Sequence, residues 1–442
     1  VADVPQNNNG DVLVNTASVS YTDATGAAQT ISDTASVTIV APGPQITKTA
    51  SQTSGDAGDI VTYTLQVTNP VQGGVSVPVF DVNVRDTFDD PDLSLVAGTV
   101  SISGSAAGNA TILLGNGALD QSIRIFMSEL DPGTVLTVTY QGRISDTVES
   151  GKLVRNVAIA QGDSAPGDVP DQRIYSVTDD ATVAMALPAL AKTITDTGLG
   201  DTGSGQGNPT LPDLAYGETV TYRVRATFAE GTTTDVSLVD LLPISPARIE
   251  VLDAAIAAVG ASITAPGAIL GAAGTLSDRD GDGANDTVVF NIGTVSNAPD
   301  GTQNAGDQLD VVIHARLITS GSATAGLTVT NQSALNFTSG GAPQVLNASA
   351  SAETVAPAFS LTKVPDQLRV DGGDIVQYTV RGANNATNFS AAAYDITLTD
   401  AGADVTAEFA LNRKDFGIVY PGKPDDLIAD NVLLKLSVHA KK

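Results

Sequence analysis

The chain has 442 residues, enough for roughly two to four domains, with 49 acidic residues against 22 basic ones and a net charge of -27. A surface this acidic repels nucleic acid and anionic membranes, which excludes both as partners. Cysteine is absent and there are only two histidines, His314 and His439. Disulfides, thiolate metal sites and cysteine nucleophiles are thereby excluded.

The N-terminal stretch VADVPQNNNG is polar and holds no signal peptide, so the sequence reads as a mature chain or an excised fragment. From Asn15, NTASVSYTD alternates apolar and polar residues, and DTASVTIVAP follows with the same period. Residues 1–44 therefore read as the closing strands of a partial repeat.

A full repeat follows over residues 45–187. It opens with ITKTASQTSGDAGDIVTYTLQVTN from Ile46, continues through DVNVRD (Asp81 to Asp86) and closes with NVAIAQGD from Asn156. The same order recurs over residues 188–356, with LAKTITD from Leu190, GETVTY ending at Tyr222, DVSLVD (Asp235 to Asp240) and NQSALNFTS from Asn331. A third opening, SLTKVPDQLRVDGGDIVQY from Ser360, leads to DITLTD (Asp395 to Asp400). Residues 357–442 are thus a partial repeat followed by a C-terminal β-hairpin. Many short alternating segments with Gly, Asp and Asn at the turns predict an all-β chain. The expected fold is tandem immunoglobulin-like β-sandwich repeats, arranged as beads on a string.

One uncharged run, Ala254 to Leu276, reaches membrane-spanning length. Gly260, Pro266, Gly267, Gly271 and Gly274 break it, so it reads as two Ala-rich strands and a loop, with no membrane insertion. Next comes LSDRDGDGANDTVVF, where Asp278, Asp280, Asp282 and Asp286 alternate with small residues. Alternate carboxylates on a tight loop converge as a hard, oxygen-seeking cation requires. With the Ala284 carbonyl they make a candidate calcium site with a structural role. Position twelve of the loop is Val289 rather than a bidentate glutamate, and a strand follows, so the loop is no helix-loop-helix sensor. The competing reading is a solvated acidic turn.

Each repeat also contributes a lysine, an aspartate and an asparagine: Lys48, Asp86 and Asn156 in one, Lys192, Asp240 and Asn331 in the next. If neighbouring strands bring them together, an isopeptide bond can form, with the acid moving the proton. The competing reading has the lysines snorkelling at the surface. His314 falls in an alternating strand, and no motif pairs a nucleophile with a base, so no enzyme is expected. Asn109 and Asn347 match the N-glycosylation pattern, which arises by chance in Thr-rich chains.

The motifs K…G-[DE]-x-V-x-Y, D-[VI]-x-[VL]-x-D and N-x-A, taken in order, resemble the DUF-eleven conserved-repeat domain of large bacterial surface proteins across residues 1–404. That resemblance implies a secreted or cell-surface array without catalysis. The last 34 residues hold six basic residues against four acidic ones. There, NRKDFG (Asn412 to Gly417) and LIADNVLLKLSVHAKK resemble the end of the YceI-like lipocalin-fold family. This implies, as the alternative, a periplasmic lipid- or isoprenoid-binding protein. The preferred expectation is an extracellular structural or adhesive protein, stiffened by calcium. It would assemble head to tail into a filament as closing strands 1–44 of one copy complete the 357–442 unit of the next.

Overall fold

The computed structural model describes residues 8–71, 76–170, 172–199, 210–319, 323–385, 389, 391, 393 and 395–399, and the backbone of Val405–Asn412 and Asn431–Val438. The described residues are almost entirely strand and turn, with two single-turn 3-10 helices at Ala107–Asn109 and Ala305–Asp307. No described helix is long and apolar enough to cross a membrane. The 254–276 run forms part of the strand Arg248–Val259 and the short strands Ile263–Thr264 and Thr275–Ser277.

Two compact units are present. The first contains a sandwich of a six-stranded and a five-stranded sheet. Val79–Thr87 sits inside the six-stranded sheet, flanked by Leu153–Asp163 and Ser122–Leu130. Gln45–Ala50, Ile60–Thr68 and Val135–Ile144 are consecutive in the opposing sheet. The period-two pattern sets which side faces in: Val61, Tyr63, Leu65 and Val67 of one strand are all buried. They meet Val82, Val84, Ile123, Ile125 and Met127 across the core.

The second unit repeats this plan with a four-stranded and a seven-stranded sheet. Ala189–Thr197, Thr219–Thr227 and Gln308–Ile318 run side by side in the four-stranded sheet. Gly231–Leu241, Thr328–Ser339 and Ala342–Val355 are neighbours in the other. Val220, Tyr222, Val224 and Ala226 are its inward set. The all-β, immunoglobulin-like sandwich architecture expected from the repeats is therefore present. Leu187 and Pro188 fall on either side of the division between units, although Ala229–Thr232 and Ser296–Gln303 group with the first.

Outside the sandwiches, Val12–Thr22 and Ala28–Thr38 form a two-stranded hairpin whose residues are all exposed. Phe359–Pro365 pairs antiparallel with Tyr378–Asn384, as an opening pair should. Val405–Asn412 and Asn431–Val438 form the C-terminal antiparallel pair. The rest of NRKDFG, residues 413–417, lies outside the described residues. Residues 395–399, expected as a strand, form none. In both sandwiches that strand is held by the closing strand beside it, the one that carries Asn156 or Asn331. Without a ladder partner its backbone groups have no reason to extend.

One backbone feature marks all three repeats. Asp81, Asp235 and Asp395 have φ of 49°, 55° and 51°, the only positive values at non-glycine residues described. The left-handed conformation disfavours most side chains, whereas a short polar one tolerates it. Asp81 and Asp235 use their carboxylates on residues distant in sequence: Gly167 N–H donates to Asp81 at 2.6 Å and the Thr338 hydroxyl to Asp235 at 2.9 Å.

Candidate functional site

In the first sandwich, strand alternation puts Lys48 on the same inward face as Ile46. Its side chain is fully buried, as is that of Asp86 on the opposing sheet, and Nζ lies 2.5 Å from Asp86 Oδ2. This removes the surface-snorkelling reading for Lys48. Asn156 is two residues from Ala158, the register partner of Asp86, so it shares that inward face. Tyr140, from the lysine's own sheet, donates its hydroxyl to Asp86 Oδ2 and accepts from Asn156 Nδ2 at 3.2 Å. Lysine, carboxylate, phenol and carboxamide thus form one connected buried cluster. Asn156 Oδ1 and Asp86 Oδ1 have no hydrogen-bond partner.

The second sandwich buries the equivalent lysine, aspartate and asparagine. Lys192 and Asp240 are buried and paired across the sheets. Ser333, the register partner of Asp240, donates to it at 2.5 Å and stands 3.0 Å from Lys192 Nζ. Asn331 is two residues before Ser333, is 0% exposed, and leaves both Nδ2 and Oδ1 without partners. A buried carboxamide with no partner on either atom costs free energy, roughly 1–3 kcal/mol for each group.

Burial shapes the electrostatics of both pairs. Burial lowers the Lys48 and Lys192 amines to about 8, against the opposing pull of Asp86 and Asp240. Burial also raises Asp86 above the usual carboxylate range. For the Lys48–Asp86 pair both shifts favour a neutral amine beside a protonated acid. Tyr63 and Tyr222 floor the two sites, with the lysine nitrogen 5.3 Å and 5.0 Å from the ring centres. The six Lys, Asp and Asn residues that the sequence singled out are all buried, whereas the hydroxyls of Tyr140 and Ser333 were not singled out.

The acidic loop joins Thr275–Ser277 to Thr287–Asn297. One carboxylate oxygen each from Asp278, Asp280 and Asp286 lie within 4.8 Å of one another. Asp282 does not join them: it accepts from Ala284 N at 2.9 Å and pairs with Arg248. His314 is a strand residue, with Nδ1 2.6 Å from Asp253 at an exposed position.

No family model matches the chain, and no curated protein is similar to it. The comparison with solved structures returns partial similarities. The C-terminal domain of the Streptococcus agalactiae AgI/II polypeptide BspA is 13% identical, covering 70% of this chain and 100% of its own, with a TM-score of 0.28. The 35 kDa C-terminal fragment of the S. agalactiae major pilin GBS80 is 14% identical, covering 70% and 91%, with a TM-score of 0.28. The full-length major pilin SpaD of Corynebacterium diphtheriae is 10% identical, covering 73% and 74%, again with a TM-score of 0.28.

Proposed function

We propose that the chain is a structural module of an extracellular bacterial surface assembly, with each sandwich locked internally by an isopeptide bond. The observation that carries this reading is the burial of lysine, aspartate and asparagine together, in matching registers, in both sandwiches.

The chemistry balances. The neutral Lys48 amine attacks Asn156 Cγ while protonated Asp86 gives its proton to the carboxamide oxygen. The tetrahedral centre collapses, the C–N bond to the carboxamide nitrogen breaks, and that nitrogen leaves as ammonia with the proton lost by the lysine. Asp86 is regenerated. Lys192, Asp240 and Asn331 follow the same course. Intact mass spectrometry of the denatured chain tests this: each bond removes one ammonia, about 17 Da, and two are expected. Asn156→Ala and Asn331→Ala should each abolish one loss. A chain at its full sequence mass sinks the proposal.

Self-association fits the same role. The exposed Val12–Thr38 hairpin sets Asn15 opposite Ala35, as Asn156 is set opposite Ala181 and Asn331 opposite Ala350. Lys363 sits two residues before the partner of Tyr378, matching Lys48 relative to Tyr63 and Lys192 relative to Tyr222. The hairpin therefore carries the closing pattern and residues 359–384 the opening one. In the proposed assembly the hairpin of one copy completes the opening strands of the next. Removing residues 1–44 should abolish higher-order species in light scattering; unchanged assembly rejects this arrangement.

A further inference from the structure

The acidic loop bears a feature that a solvated turn does not need. Asp286 is 2% exposed. Its Oδ1 is satisfied by Arg279 N at 3.1 Å and the Thr287 hydroxyl at 2.8 Å. Its Oδ2 receives no hydrogen bond, and the Arg279 guanidinium comes no nearer than 3.8 Å. This oxygen belongs to the carboxylate that closes the triangle with Asp278 and Asp280. The loop backbone is already tied down: Asp286 N donates to Ser277 O at 3.0 Å, and Leu242 N donates to Asp286 O at 2.9 Å. A buried carboxylate oxygen held in place without a hydrogen-bond donor is arranged for a cation.

A second charged group bears on the same carboxylates. Arg248, thirty residues before the loop, is largely buried and pairs with both Asp280 and Asp282, while its Nε has no partner. The loop's four carboxylates are offset by two guanidiniums, Arg248 on Asp280 and Asp282 and Arg279 beside Asp286, leaving a surplus of two negative charges. That is the charge of one divalent ion.

We propose that Asp278, Asp280 and Asp286 bind one calcium ion, and that Arg248 is a built-in competitor that shares Asp280 with it. Calcium suits the site better than magnesium, because carboxylates on a glycine-containing loop offer many oxygens without strict octahedral geometry. Gly281 and Gly283, with φ of 78° and 97° and open space where a Cβ would stand, leave the loop room to adjust. Arg248 then sets affinity: it holds the loop when calcium is scarce and must yield part of Asp280 when calcium binds. This inference is independent of the isopeptide bonds.

The test is calorimetric titration of the full chain with calcium chloride, with magnesium chloride as the comparison. Wild type should bind one calcium and show weaker or no magnesium binding. Asp278→Asn, at an exposed position, should weaken calcium binding at least tenfold without unfolding the sandwich, as checked by circular dichroism. Arg248→Gln should tighten calcium binding about tenfold, since a cationic competitor is gone. Absence of calcium binding to wild type overturns the site. Weaker binding by folded Arg248→Gln overturns the competition and makes the arginine a support for the loop.

Discussion

Tyr140 in the first sandwich and Ser333 in the second bring a hydroxyl to the same carboxylate position from different sheets. Tyr140 reaches Asp86 across the core, whereas Ser333 reaches Asp240 from the adjacent strand. Each replaces the other: Ala158 stands at the register position of Ser333, and Ile313 faces Tyr222 where Tyr140 faces Tyr63. The carboxylate therefore keeps a hydroxyl donor in both sandwiches, although no one position supplies it.

If those hydroxyls orient the acid, Tyr140→Phe and Ser333→Ala should slow ammonia loss without preventing it. A time course of intact mass after refolding reads this directly. In the second sandwich, Ile313→Tyr added to Ser333→Ala should restore the faster course. Equal rates in all variants would mean the hydroxyls only fill space.

Removing the acid has a larger effect. Asp86→Ala leaves the Lys48 amine buried without its partner, and should destabilise the first unit by about 3–5 kcal/mol in urea unfolding. It should also hold the mass of that sandwich at the unreacted value. Asp86→Asn keeps the volume and separates packing from proton transfer: the fold should survive and the ammonia should stay.

The lysines give a pH test. A lysine whose folded value is about 8, below its ordinary 10.5, binds fewer protons folded than unfolded between those values. Stability then rises with pH across that window, and is lost as pH falls through 8. Asn156→Ala and Asn331→Ala, which keep the amines free, should show this rise in denaturant midpoints between pH 8 and 10.5. The wild type should not, because an amide nitrogen does not titrate there.

Asp56 predicts the opposite slope. Burial pushes it up to about 6, with the charges of Glu230 and Asp59 adding to the effect. Its folded form holds a proton that the unfolded chain has released, so stability is greatest below pH 4 and lost as pH rises through 6. Asp56→Asn should flatten that part of the stability profile.

The recurring left-handed aspartates can be checked by exchange. Asp235→Gly should be tolerated, losing the Thr338 hydrogen bond but relieving the backbone. Asp235→Val should cost about 1–2 kcal/mol more, since a β-branched side chain opposes that conformation. Chemical denaturation of both variants measures the difference.

Much of this was legible in sequence because the repeats align the residues that matter. Lys48, Asp86 and Asn156 recur at equivalent places as Lys192, Asp240 and Asn331, and alternation alone sets Lys48 on the face of Ile46. What escaped was whatever depends on one sheet lying over another. Tyr140 acts on Asp86 from a different sheet, and Arg248 meets Asp280 across a separation no local motif spans. The positive φ of Asp81 was hidden as well, although an aspartate at the head of DVNVRD, DVSLVD and DITLTD was its trace. Asp282 shows the converse: spacing placed it with the other carboxylates, and Arg248 draws it aside.

The position of the buried lysine in the first strand of each sandwich, and of the asparagine next to the last, has a consequence for pulling. Tension on the chain enters the first sandwich near Gln45 and leaves near Met185. If the proposed Lys48–Asn156 bond forms, it shunts the pull past about 100 residues, so roughly 350 Å of contour stays folded away. In the second sandwich the proposed Lys192–Asn331 bond would withhold about 450 Å in the same way. A tether built from such units would transmit a tug at nearly constant length, yielding only in its short unbridged ends.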